Sequence, residues 1–129
     1  FGGGVAVLDV DADQRPDLLF VNGRPWQPAS ARPRHALYRN AGGGRFVDAT
    51  AGSGFDTMTG YGLGATVGDF DNDGRDDVFV TTVDGGRLMR NTGTNRFTAV
   101  TARAGIRNST FAVSAAWLDY DKDGLLDLF

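Results

Sequence analysis

Residues 69–77 read DFDNDGRDD, with carboxylates at Asp69, Asp71, Asp73 and Asp77 and a glycine at Gly74. The spacing recurs as DVDADQRPD, with Asp9, Asp11, Asp13 and Asp17, and as DYDKDGLLD, with Asp119, Asp121, Asp123 and Asp127. The shared pattern is D-x-D-x-D-G-x-x-D. Aspartates at alternate positions of a curled loop can point inward together, and hard oxygen donors in this number suit Ca²⁺, which takes about 6–8 oxygens. The backbone carbonyl of position 7 (Arg15, Arg75, Leu125) is expected to add a ligand, by analogy with EF-hand loops. Gly74 and Gly124 at position 6 permit the positive φ of a sharp turn. The sequence therefore predicts up to three Ca²⁺ sites, one per loop.

Without a cation, four clustered carboxylates repel; each pair at about 4 Å costs on the order of 1 kcal/mol in water and more near a protein surface. A solvated acidic turn is the plain alternative, and three copies in register argue against it. An EF-hand is rejected, because it needs a bidentate glutamate at position 12 and flanking helices. Here position 12 is Phe20 or Val80, and the flanks are strand-like. Loop 1 departs from the pattern, with Gln14 in place of glycine and Pro16 at position 8. A left-handed Gln14 costs roughly 1 kcal/mol or more, so the first site is expected to be the weakest.

Working outward, the loops sit inside a longer repeat. They begin at Asp9, Asp69 and Asp119, while Arg39-Asn40 recurs at Arg90-Asn91 and Phe46 at Phe97. One unit is thus about 50 residues, and the first carries about ten extra. Each unit reads as four short strands. A small and apolar run (Val5 to Leu8, Ala65 to Val67, Ala115 to Leu118) enters the loop, and an apolar run (Leu18 to Val21, Val78 to Val83) leaves it. Leu37-Tyr38 or Leu88-Met89 follows, then Phe46-Val47 or Phe97 to Val100. The runs are too short and too rich in Val, Phe and Thr for helices. Four strands per roughly 50 residues is the period of a propeller blade. The predicted fold is an all-β propeller fragment of about two and a half four-stranded blades. Repeat 1 covers about 1–57, repeat 2 about 58–108 and repeat 3 about 109–129, truncated. An irregular β-sandwich does not require such repetition.

Composition supports this. All sixteen acidic residues are aspartate, a residue that favours turns and caps over helix interiors. Nineteen glycines at turn-like spacing suit many short strands. The absence of cysteine excludes a disulfide framework and a thiolate metal site. Basic residues are almost all arginine and scattered singly, which excludes a nucleic-acid stripe. No apolar run reaches the roughly 18 residues of a membrane span. The start at Phe1 and the stop after a motif read as a fragment.

Loops of this type in a blade-length repeat resemble the FG-GAP/VCBS repeats of integrin-α-like propellers. The strings LYRNAGGGRFVDAT (37–50) and LMRNTGTNRFTAVTARAGI (88–106), each following an aspartate loop, are similar to the cartilage acidic protein and its bacterial ASPIC/UnbV-associated relatives. The resemblance implies a secreted or cell-surface propeller of about seven blades, on the outer surface or in the periplasm if bacterial. It also implies that the twelve motif aspartates are calcium ligands.

Other features read blandly. The insertion Gly23 to His35 (GRPWQPASARPRH) is a spacer packed over its own blade or an exposed binding tip carrying Trp26. His35 is the single histidine and, lacking a G-x-S-x-G elbow, reads as structural. GYGLGA (60–65) fits a dinucleotide fingerprint only nominally, since an aspartate loop follows where a helix must start. Asn108-Ser109-Thr110 is a glycosylation sequon. Asn40 and Asn91 are expected to support turns. The expected function is non-enzymatic: calcium rigidifies the blades, and inter-strand loops contact a protein or glycan partner outside the cytoplasm. An accessory propeller of a secreted hydrolase or lyase, or a lectin-like propeller, is the alternative.

Overall fold

The computed structural model describes residues 3–23, 35–107 and 110–129; residues 24–34 of the insertion, with Trp26, and Asn108-Ser109 of the sequon lie outside the described residues. Strands β1 (Gly4–Leu8), β2 (Asp17–Val21), β3 (Ala36–Asn40) and β4 (Phe46–Asp48) form an antiparallel meander in sequential order. Strands β5 (Gly62–Gly68), β6 (Asp77–Thr82), β7 (Gly85–Gly93) and β8 (Arg96–Ala99) repeat it, and β9 (Trp117–Leu118) pairs with β10 (Asp127–Leu128) as the start of a third. No helix occurs among the described residues. Two four-stranded meanders and a hairpin, each with the aspartate motif in its first strand-to-strand loop, are successive blades of a β-propeller.

Alternation sorts the side chains. In the first sheet Ala6, Leu8, Leu19, Val21 and Leu37 point to one face; Val78, Val80, Met89 and Phe97 of the second sheet meet them in a single core. The core therefore lies between blades rather than within one. The register equivalents on the two sheets make this plain. Val80 is fully buried against the first sheet, whereas Phe20, at the same place in the first repeat, is 39% exposed. Val5 and Val7 on that same uncovered face are exposed too. β6 is buried along its whole length, as a β-branched strand covered on both faces must be.

Small residues at the inner strands let the sheets converge. A Cβ on Gly4 of β1 would lie 2.9 Å from the Gly64 Cα of β5, and one on Gly62 would lie 2.3 Å from Val21 Cγ1 and 2.8 Å from His35 Cε1. Blades wedged around an axis approach most closely at their innermost strands, so bulk is excluded there.

The connector after β4 fastens one blade to the next. The Phe97 amide of β8 donates to the Ser53 carbonyl at 2.7 Å, and the fully buried Phe55 ring lies 4.8 Å from that of Phe97. Asp56 holds the connector's curl by accepting from the Gly52 and Gly54 amides at 2.9 and 3.1 Å. Thr50 Oγ1 accepts from the Leu37 amide at 2.9 Å, and Thr101 does the same for Leu88 at 2.9 Å. His35, where the insertion rejoins the sheet, is buried and accepts from the Asn22 amide at Nδ1, 3.2 Å away. Accepting at Nδ1 requires the neutral ring, and burial lowers its pKa.

Phe55→Ala is expected to destabilise the chain by about 3–5 kcal/mol in urea unfolding, the cost of emptying a ring-sized core site. A loss below about 1 kcal/mol would show that the connector is not part of the core. For His35 the folded pKa lies below the unfolded value of about 6.5, so its contribution is complete above that pH and is lost as the pH falls through the folded pKa. Between about pH 7.5 and about pH 5.5 the wild type should lose stability relative to His35→Gln. Parallel profiles for the two would remove His35 as a source of acid sensitivity.

Candidate metal centres

Each aspartate loop leaves an inner strand and returns in the adjacent one, and the three curl by the same backbone pattern. Position 1 (Asp9, Asp69, Asp119) accepts at Oδ1 from the position-5 amide, at 3.1, 2.9 and 3.1 Å. Its Oδ2 accepts from the position-6 amide, at 2.8, 2.8 and 3.1 Å. Position 5 (Asp13, Asp73, Asp123) accepts from the amide two residues on. Position 9 accepts at Oδ2 from the position-2 amide: Asp17 from Val10 at 2.9 Å, Asp77 from Phe70 at 3.2 Å, Asp127 from Tyr120 at 3.0 Å.

Two residues per loop lie at positive φ. At position 6 these are Gln14 (64°), Gly74 (82°) and Gly124 (88°). At position 4 they are Ala12 (60°), Asn72 (55°) and Lys122 (63°), a requirement the motif does not announce because glycine is absent there. Asparagine tolerates this region best among them. Loop 1 therefore carries two side chains that oppose its shape, and loop 2 nearly none.

The curl gathers carboxylates. Oxygens of Asp9, Asp11 and Asp13 lie within 4.8 Å of one another, as do those of Asp69, Asp71 and Asp77, and those of Asp119, Asp121 and Asp127. Asp17, Asp73 and Asp123 stand outside these triads, engaged by backbone amides. Asp11 Oδ1 is buried without a hydrogen-bond partner, an acceptor withdrawn from water and left open. Burial raises the Asp17 carboxyl above the ordinary range and pushes Asp77 up to about 6, while amides from Asn40 and Val10, or from Asn91 and Phe70, act against the shift. Crowded oxygens, an orphaned acceptor and the lack of nitrogen or sulfur donors fit a hard divalent cation such as Ca²⁺.

Five residues outside the predicted ligand set complete the loops. Asn40 and Asn91 do more than support turns. Their amides donate to Asp17 Oδ1 at 2.6 Å and Asp77 Oδ1 at 2.7 Å, and their side chains donate to the carbonyls of Pro16 at 3.0 Å and Asp76 at 3.2 Å. The side-chain Oδ1 of Asn40 and of Asn91 in turn accepts from the Gly42 and Gly93 amides at 2.9 Å. Arg39 reaches Asp11 at 3.4 Å, and Arg90 reaches Asp71 and Asp73. Recurrence of Arg-Asn one repeat apart was the available signal. Asp76 was missed because position 8 holds Pro16 and Leu126 in the other loops. Its Oδ2 accepts from the Asp9 amide at 2.9 Å and ties loop 2 to loop 1.

The two clefts near these loops are seams. One of about 210 Å³ lies between loops 1 and 2, lined by Asp9, Asp11, Arg75 and Asp76. The other, about 390 Å³, separates loop 2 from the connector at Val100, Arg103 and Ala104. Val10, the first-repeat counterpart of Phe70, is buried, and its carbonyl accepts from Asn91 of the next blade at 3.4 Å.

Repeated four-stranded blades whose two inner strands are joined by an aspartate loop define a blade-repeat propeller of the acidic-loop type. The chain belongs to the FG-GAP-like repeat family, whose sequence profile matches residues 9–80 and 69–129. No curated protein matches the chain. Among the described residues no helix is long and apolar enough to cross a membrane.

Gln14→Gly should raise stability by at most about 1 kcal/mol by relieving the left-handed side chain. Unfolding in urea at fixed calcium measures it, and a loss of stability would mean that the Gln14 side chain contributes more than its strain costs.

Proposed function

We propose that the chain is a calcium-stabilised propeller module of a secreted or cell-surface protein, with calcium structural and the propeller serving protein or glycan interaction. The observation that carries this is the threefold recurrence of one curl that crowds carboxylate oxygens within 4.8 Å. In this reading the ligands are Asp9, Asp11, Asp13 and Asp17; Asp69, Asp71, Asp73 and Asp77; and Asp119, Asp121, Asp123 and Asp127. The carbonyls of Arg15, Arg75 and Leu125 join them. A bound Ca²⁺ supplies charge neutralisation and oxygen coordination. The chain's own residues shape the loop, with positions 1, 5 and 9 fixing it through backbone amides and Asn40 or Asn91 fixing it to the sheet. Extracellular modules bind calcium at roughly 10⁻⁴–10⁻³ M, which suits a site that reports no signal and is filled permanently outside the cell.

The division into repeats at about 1–57, 58–108 and 109–129 and the kinship with the cartilage acidic protein and ASPIC/UnbV-associated group belong to the same proposal. Among the described residues the single histidine is engaged in packing, which favours an interaction module over a histidine-dependent enzyme.

Calorimetric titration should count three Ca²⁺ sites, the weakest removed by Asp11→Asn. Each site at about 100 times its Kd adds about 2.7 kcal/mol of stability, so melting in EDTA should fall clearly. Fewer than two sites, or an unchanged melting temperature on chelation, would overturn the proposal.

A further inference from the structure

Arg39 and Arg90 occupy the same place in two repeats, each one residue before the asparagine whose amide anchors the position-9 carboxylate. Both stand on the third strand of their sheet, Arg39 opposite Val47 and Arg90 opposite Thr98. From there each guanidinium reaches across to the loop. Arg39 Nη1 is 3.4 Å from Asp11 Oδ2; Arg90 Nε donates to Asp71 Oδ2, and its Nη2 donates to Asp73 Oδ2 at 2.9 Å. These carboxylates sit at positions 3 and 5, in the proposed ligand set. Arg15 and Arg75, inside the loops, pair with Asp13 and Asp73, the latter shared with Arg90, and also donate to the carbonyls of Asn40 and Asn91 at 3.1 and 3.2 Å.

The charge count gives this contact a purpose. In loop 1 four aspartates face two guanidinium groups, so half of the loop's negative charge is answered by arginine when no metal is bound. A carboxylate lone pair held by an N–H is not available to a metal, so guanidinium and metal compete for the held oxygens, Oδ2 of Asp11, Asp71 and Asp73. An isolated exposed ion pair is worth little, but a guanidinium spanning two carboxylates that would otherwise repel forms a network.

We propose that Arg90, and Arg39 in the first repeat, are resident counter-cations that hold the loops closed when metal is absent and yield those carboxylates to the incoming ion. The inference rests on the calcium reading of the loops. It makes the arginines affinity-setting residues: they stabilise the metal-free state more than the loaded one, and linkage requires that they weaken calcium binding by the same factor.

The test compares wild type with Arg90→Gln in the full chain, by melting in EDTA and in saturating Ca²⁺ and by calorimetric Ca²⁺ titration. The variant should melt lower than wild type in EDTA by about 2–4 °C, match it in calcium, and bind calcium several-fold more tightly at one site. Arg90→Lys, which keeps the charge without the fork, should fall between them. An equal loss in EDTA and calcium with unchanged affinity would make Arg90 a packing residue and overturn the proposal; weaker binding would make it a support of the loaded site and overturn it as well. If the variant does not fold in EDTA, wild-type melting restored by calcium supports exchange and failure to restore it rejects exchange. Should wild type and variant alike ignore calcium, the metal reading itself fails, and exchange with it. A normal calcium response with unaltered affinity rejects only the role of Arg90.

Discussion

A buried carboxylate at the end of each of the first two aspartate loops is the constraint around which a blade is assembled. Asp77 is fully buried, yet each of its oxygens accepts a backbone amide: one from Phe70 at the start of the loop, one from Asn91 on β7. Asp17 does the same with Val10 and Asn40. A single side chain thereby closes the loop on itself and pins it to the third strand. Burying an ionised group is expensive, and the rise of Asp77 to about 6 shows that desolvation outweighs the two amide bonds. The neighbouring acids add to that cost, so the loop is built to be completed by positive charge.

That charge arrives from two directions in the fold. Arg90 and Arg39 come from the third strand, and Arg75 and Arg15 from within the loop. The asparagine beside each third-strand arginine closes the remaining gaps, spanning the loop's eighth carbonyl and the next turn. A loop of charged residues is in this way made as specific as an apolar core, because every carboxylate has a geometric partner rather than a diffuse counter-ion.

Stability along the chain comes from the seams. The main hydrophobic core joins the first and second sheets, and Phe55 from the connector is placed in it against Phe97. The loops share in the seam, since Asp76 accepts from the Asp9 amide and Asn72 donates to the Gly124 carbonyl at 3.0 Å. Metal-loop order and blade packing are therefore coupled: a change in one loop's shape is transmitted to the next through hydrogen bonds rather than through a flexible linker.

The strands and the loops were legible in the amino-acid sequence because both depend on local rules. Short β-branched and aromatic runs such as Val78 to Thr82 form strands in any context that covers them, and alternating aspartates crowd their charges wherever the chain curls. Repetition removed the ambiguity of short segments. The left-handed residues at position 4 were hidden, since Ala12, Asn72 and Lys122 share no chemistry. The contacts of Asp76, Asn91 and Arg90 were hidden for a different reason, although the recurrence of Arg-Asn was visible: their partners lie 14 to 67 residues away, and only sheet register and the approach of one blade to another bring them within reach. The sequence by itself determined that oxygen-rich loops recur between paired strands. The tertiary structure alone decided which charges answer them, because charge pairing depends on distance in space and the motif records only distance along the chain.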